Sequence, residues 1–255
     1  MALHLTDAVA DGARRVFTRT GAVLFAVLVA QQALLVTSIN TVLAAELPPA
    51  AANTIGLTLP VSGTVALALA AASVLFGAVH LVALSRAFAR PRAALSSCPT
   101  SLWTRRIGRA SLTTLVSGTV ASVAVTLGLP VLLVPGLFLA ACFAFVVFAV
   151  GVEDRGVVGA LRRSWALSRG NRLRLGVIVL AAGVGGVAAG LVPSILQLAG
   201  AAGAGDVAAV LLNGTLFVLV YGVLAAAYRQ LADEDGGLGG TEPSTVSIGE
   251  ARSRA

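Results

Sequence analysis

The chain has 255 residues, 57% of them hydrophobic and only 11% charged, with a mean hydropathy of +0.93. Soluble domains carry about 25% charged residues, so a wholly water-facing exterior is excluded and most of the surface must meet lipid. The net charge of +7 rests on 18 basic residues, every one an arginine. Two cysteines, Cys98 and Cys142, offer neither a disulfide framework nor a metal-ligand spacing, which excludes a disulfide-stapled secreted fold.

In chain order, residues 1–20 read as a cytoplasmic interfacial helix. Leu5, Val9, Ala13, Val16 and Phe17 recur at helical spacing, Thr6 is a candidate N-cap, and Arg14 and Arg15 lie near the C-terminal end. A membrane helix needs roughly 20 mainly apolar residues, and six stretches meet or approach that, at about 21–45, 61–85, 112–133, 136–152, 175–199 and 207–228. The first is too long for a signal-peptide core, which runs to about 15 residues, so it is expected to remain as a span. Spans three and four are separated only by Pro130-Val-Leu-Leu-Val-Pro135-Gly136. Two prolines and a glycine so close together predict a tight turn between antiparallel helices. One continuous helix there would be about 60 Å long, twice what a bilayer needs. The fold expected is all-α: a polytopic six-helix transmembrane domain over 21–228 with short interfacial amphipathic helices. Residues 229–255, rich in Gly, Ser and acidic residues, read as a disordered cytoplasmic tail.

Arginine placement predicts orientation. Arg14, Arg15 and Arg19 precede the first span, and Arg86 to Arg109 lie between the second and third. Arg155 to Arg174 lie between the fourth and fifth, and Arg229, Arg252 and Arg254 follow the sixth. Every basic residue therefore falls on one side, while the opposite loops hold only Glu46 and Asp206. The positive-inside rule places that side, with both termini, in the cytoplasm of a cell-membrane protein. Topology alone accounts for the isoelectric point of 11.1, so no nucleic acid partner is expected.

Two further stretches read as surface helices. Val157, Val158, Leu161 and Trp165 share a face opposite Arg162 and Arg163, and Leu102-Trp103 precedes Arg105-Arg106. Arg105, Arg106, Arg162, Arg163, Arg169 and Arg172 are the candidate contacts for anionic head groups, because a planar guanidinium grips phosphate bidentately. Membrane lipids are the expected partners, with a membrane protein or a second copy of the chain as the other candidates. Inside the spans, Gln31, Gln32, Asn40, His80, Gln197 and Asn213 are the polar side chains, and amides there commonly tie helices together. Gly186-Val-Ala-Ala-Gly190 has the spacing of a helix-packing motif, and Pro193 is expected to kink the fifth span. No nucleophile–base pair, paired carboxylate or metal cluster can be assembled, so neither an enzyme nor a cofactor is expected.

The stretch Pro135-Gly136, Glu153-Asp-Arg-Gly156, Ala160-Leu-Arg-Arg-Ser-Trp165 and Arg169-Gly170-Asn171 resembles the membrane domain attached to some glycerophosphodiester phosphodiesterases and its stand-alone bacterial and haloarchaeal relatives. The resemblance is close over about 40 residues and loose over the six spans. It implies a multi-helix membrane fold but no phosphodiesterase activity, since the metal-binding carboxylates of that catalytic domain have no counterpart here. The reading is of an integral membrane protein engaging anionic lipids or a membrane partner through arginine-rich loops. The alternative is a small transporter or lipid-handling carrier with the Gly- and Pro-rich fifth helix as its gate.

Overall fold

The computed structural model describes residues 3–52, 54–131, 133–234 and 236. The helices in chain order are α1 (Leu5–Val16), α2 (Arg19–Glu46), α3 (Pro49–Ala52), α4 (Gly63–Phe88), α5 (Ser101–Thr104) and α6 (Ile107–Val131). They continue with α7 (Leu133–Phe143), α8 (Val146–Gly151), α9 (Val157–Ser168), α10 (Arg172–Leu198) and α11 (Ala202–Glu234). A short 3-10 turn spans Arg92–Ser96. Five helices, α2, α4, α6, α10 and α11, are long and apolar enough to cross a membrane.

The expected fourth span, Gly136–Val152, is broken. It divides into α7 and α8 at Ala144-Phe145, and neither piece alone approaches the roughly 20 residues of a crossing. Helix runs through both prolines of the predicted turn, Pro130 in α6 and Pro135 in α7. Pro135 is tolerated because a helix's first turn has no use for its backbone N–H. The hairpin itself is present. Ile107 and Ala110, at the start of α6, pack with Val146, Ala149 and Val150 at the end of the returning segment. Ser164 on α9 mends the break in that segment. Its hydroxyl donates to the Cys142 carbonyl at 2.7 Å and accepts from the Phe145 N–H at 3.1 Å, so the backbone groups freed between α7 and α8 are satisfied.

α1 packs on α11 by one face and leaves Val9 and Phe17 of its apolar set outward. Ala8, Gly12 and Arg15 are buried, whereas Val9 is half exposed and Phe17 is 86% exposed. The reason is close contact with α11. A Cβ on Gly12 would sit 2.5 Å from the Val223 nitrogen, and one on Gly222 would sit 2.7 Å from the Gly12 carbonyl oxygen. Only residues without bulk permit that crossing. Arg15 is buried because Asp11 meets its Nε at 2.7 Å and the carbonyls of Phe88 and Arg90 accept from its Nη1. The N-cap is His4 rather than Thr6. α2 follows after a single turn, capped by Thr18, whose hydroxyl accepts from the Gly21 N–H.

The densest packing sits toward the arginine-bearing end. There Leu84 and Phe88 of α4, Phe145, Phe148 of α8, and Tyr228 of α11 are fully buried in one cluster. α11 continues past the expected end at Tyr228 because Leu231 and Ala232 belong to the same cluster. Apart from Gly236, the tail expected to be disordered beyond Glu234 lies outside the described residues. At the opposite end Asp206 is the pin. Its carboxylate accepts from Asn40 Nδ2 at 2.8 Å and from the Leu57 N–H at 2.7 Å, joining α11, α2 and the loop before α4.

Candidate functional site: the arginine-bearing end and an intramembrane cavity

The helix ends that carry arginine meet at one end of the bundle. The turn after α8, Glu153-Asp154-Arg155, is the centre of that meeting. Glu153 Oε1 accepts from Tyr228 Oη at 2.6 Å and from Arg163 Nε at 2.9 Å, and Oε2 accepts from Arg155. Burial pushes this carboxyl up, but the hydrogen bonds from Tyr228, Arg163 and Arg155, with the Arg163 charge, outweigh it and hold the group below its ordinary range. Asp154, in the left-handed region that aspartate tolerates (φ +53°), pairs with Arg105 and stands 3.5 Å from Arg86 Nη2. The latter is an ion pair rather than an aligned hydrogen bond. Arg86 itself is buried and donates to the carbonyls of Gly151 and Arg105 at 2.8 and 2.7 Å.

The candidate head-group arginines therefore divide. Arg105 and Arg163 are engaged by Asp154 and Glu153. Arg172 lies over two rings, 4.6 Å from Trp165 and 4.9 Å from Phe138, a cation–π sandwich that holds the start of α10 against α7 and α9. By contrast Arg106, Arg162 and Arg169 are exposed, and among the described residues no group pairs with their side chains. Arg14, Arg19, Arg92 and Arg109 are exposed in the same way. Of these, Arg19 and Arg92 line one hollow together with Thr18 and Ser96. The chain meets at that hollow from two distant segments, so no sequence spacing could have paired them.

The signature segment has local structural work. Gly170 adopts φ +79°, a left-handed turn between α9 and α10 that favours glycine. Asn171 accepts the Leu3 N–H on its Oδ1, and Arg174 donates to the Leu3 carbonyl, so both anchor the N-terminal segment. Of the packing glycines, Gly186 faces Leu216 of α11, 3.9 Å from where its Cβ would be, and Gly190 faces open space.

Deeper in the helical layer, α2, α4 and α6 part to leave a cavity of about 750 Å³. Its α6 wall carries Thr114, Gly118, Ser122 and Thr126, a polar and small-residue stripe at intervals of four that brings one helix face into the cavity. Across from it stand Gln31 of α2 and His80 of α4. Gln31 is engaged, donating to the Ser73 carbonyl at 3.1 Å. His80 is not. It is 1% exposed, Trp103 covers it with ring centroids 5.8 Å apart, and neither ring nitrogen has a partner among the described residues. The Thr114 hydroxyl, 4% exposed, is equally unmatched. A buried polar group without a partner costs about 1–3 kcal/mol. Among the described residues no Asp, Glu or Arg lines the cavity. A second space of about 430 Å³ beside Asn213 and Tyr221 shares Gln32 and Phe217 with the first.

The sequence profile of one family, described as a domain of unknown function (DUF7847), matches residues 3–231. The chain belongs to that family. No curated protein and no solved structure matches it.

Proposed function

We propose that this chain is a non-enzymatic, six-crossing protein of the cell membrane, with both termini cytoplasmic. α7 and α8 together make the fourth crossing, which keeps all arginine-bearing ends on one side, as the positive-inside rule asks. In this reading the cytoplasmic end rests on the anionic inner leaflet and its outward arginines bind lipid phosphates.

One observation carries the reading. The buried and half-buried arginines are matched by Asp11, Glu153, Asp154, backbone carbonyls or aromatic rings, while a second set, Arg19 and Arg92 at one hollow among them, is exposed with no partner among the described residues. Polybasic surfaces gain about 1 kcal/mol per arginine at an anionic leaflet. The exposed Phe17, beside Arg14 and Arg19, adds an apolar anchor.

The test is native mass spectrometry of the protein in nanodiscs mixing phosphatidylglycerol with phosphatidylcholine. Exchanging Arg19, Arg92, Arg162 and Arg169 for Gln should strip retained phosphatidylglycerol, and the protein should still fold, because none of the four has a partner among the described residues. Equal retention by both proteins would leave these arginines as topology signals and overturn head-group binding. The second reading, a lipid-handling carrier, is favoured by the cavity between α2, α4 and α6.

A further inference from the structure

We infer that the cavity between α2, α4 and α6 is a binding site for an uncharged, hydroxyl-bearing amphiphile drawn from the membrane, with His80 and Thr114 holding its polar end. The inference gives the carrier reading a ligand class, and it is independent of the arginine-bearing surface.

The chemistry of the walls selects the occupant. Leu28, Leu35, Val74, Leu115, Val123 and Leu127 supply apolar contact for a chain, and the volume of about 750 Å³ suits a molecule of small-ligand size. A phosphate or ammonium group inside would have no opposite charge to meet, because among the described residues no Asp, Glu or Arg lines the space. The polar requirement is set by the unmatched groups. A neutral imidazole offers one N–H donor and one bare nitrogen acceptor, and the threonine hydroxyl can do either. An alcohol function can give its proton to the bare nitrogen of His80 or exchange a hydrogen bond with the Thr114 hydroxyl. A carbonyl alone would leave the bare nitrogen unmatched. Diacylglycerols and isoprenoid alcohols have this form, a hydroxyl at one end of an apolar body.

Depth agrees with that form. His80 stands eight residues before the end of α4 at Phe88, about 12 Å along the helix from the arginine-bearing end. Thr126 and Leu127 extend the lining toward the far end of α6. The polar end of a ligand at His80 would thus lie below the head-group layer, with its chain running along the α6 stripe.

Two substitutions separate the site from the fold. His80→Leu removes the hydrogen-bonding pair. Gly118→Leu leaves His80 untouched and fills the cavity, since a Cβ at Gly118 meets nothing within 4 Å and the position lines the space. The probes are dioctanoylglycerol, its O-methyl ether, and the charged dioctanoyl-phosphatidylglycerol, each titrated into the nanodisc-held protein and counted as adducts by native mass spectrometry. Wild type should take up dioctanoylglycerol saturably and bind the ether about tenfold more weakly. His80→Leu should weaken dioctanoylglycerol by about tenfold, and Gly118→Leu should abolish it. The protein with Arg19, Arg92, Arg162 and Arg169 changed to Gln should bind it as wild type does, so loss of head-group binding and loss of this site are read separately. No saturable uptake by wild type, equal uptake by Gly118→Leu, or preference for the charged lipid in the same cavity would overturn the assignment. Should His80→Leu fail to fold, Gly118→Leu and the ether still decide it.

Discussion

Tyr228 and Glu153 are joined by a 2.6 Å hydrogen bond in which the phenol donates to the same carboxylate oxygen that Arg163 holds. That oxygen ties the end of α11 to α9 through the turn after α8. Replacing Glu153 with Ala leaves a phenol and a half-buried guanidinium without their shared acceptor. The expected cost is about 3 kcal/mol, at the low end for breaking a buried pair because Arg155 on the other oxygen is exposed. Thermal melts in nanodiscs measure it, and Tyr228→Phe should lose less because the arginines remain.

The same carboxylate predicts an acid limit. Its value is held below the ordinary glutamate value of about 4.3. Its contribution is complete above that ordinary value and is lost as pH falls through the lower folded value. Melting temperature should therefore be level from neutral pH to about 5 and fall below about 4. Glu153→Gln should start lower and show a shallower acid decline. An identical slope in that variant would place the acid sensitivity elsewhere.

Ser164→Ala should destabilise by about 1–3 kcal/mol, because the Phe145 N–H and the Cys142 carbonyl lose their partner at the α7–α8 break. Hydrogen exchange should rise first at Phe145. Ser164→Thr, which keeps the hydroxyl, should restore protection there.

Gly12→Leu should cost about 1–3 kcal/mol through overpacking against α11. α1 should then become open to protease while the five long helices stay protected. Gly222→Leu, from the other side of the contact, should give the same cleavage pattern.

The two cysteines report orientation without any substitution. Cys98 is exposed on the arginine-bearing side and Cys142 is buried. A membrane-impermeant maleimide should leave intact cells unlabelled and label Cys98 once the membrane is opened. Labelling of intact cells would reverse the proposed topology.

Five long helices were legible from hydropathy, since an uncharged apolar run of span length has few other fates in a folded chain. The break at Ala144-Phe145 was not, because neither residue is a helix breaker and what permits it is Ser164 on another helix. The arginines were legible as a one-sided set, yet their individual fates depend on carbonyls such as those of Phe88, Arg90 and Gly151. Every residue carries such a carbonyl, so none of these contacts has a sequence mark. The face by which α1 docks on α11 was not legible, because apolar spacing marks Val9 and Phe17, whereas close helix contact selects Ala8 and Gly12. The cavity did leave a trace, Thr114-Gly118-Ser122-Thr126 at intervals of four, but hydroxyls in membrane helices commonly bond their own backbone and so hide among ordinary residues.

The contact of Gly12 with Gly222 joins the first helix of the chain to the last. During synthesis α1 is made well before α11, which completes its seat. At about 5–20 residues per second that interval is on the order of ten seconds or more. Through it α1 must wait without its partner helix, its Arg15 able to pair along the helix with Asp11. Its docking is thus a closing clasp. A chain stalled before α11 would leave α1 unseated, a visible mark by which the cell's proteases could tell an unfinished copy from a finished one.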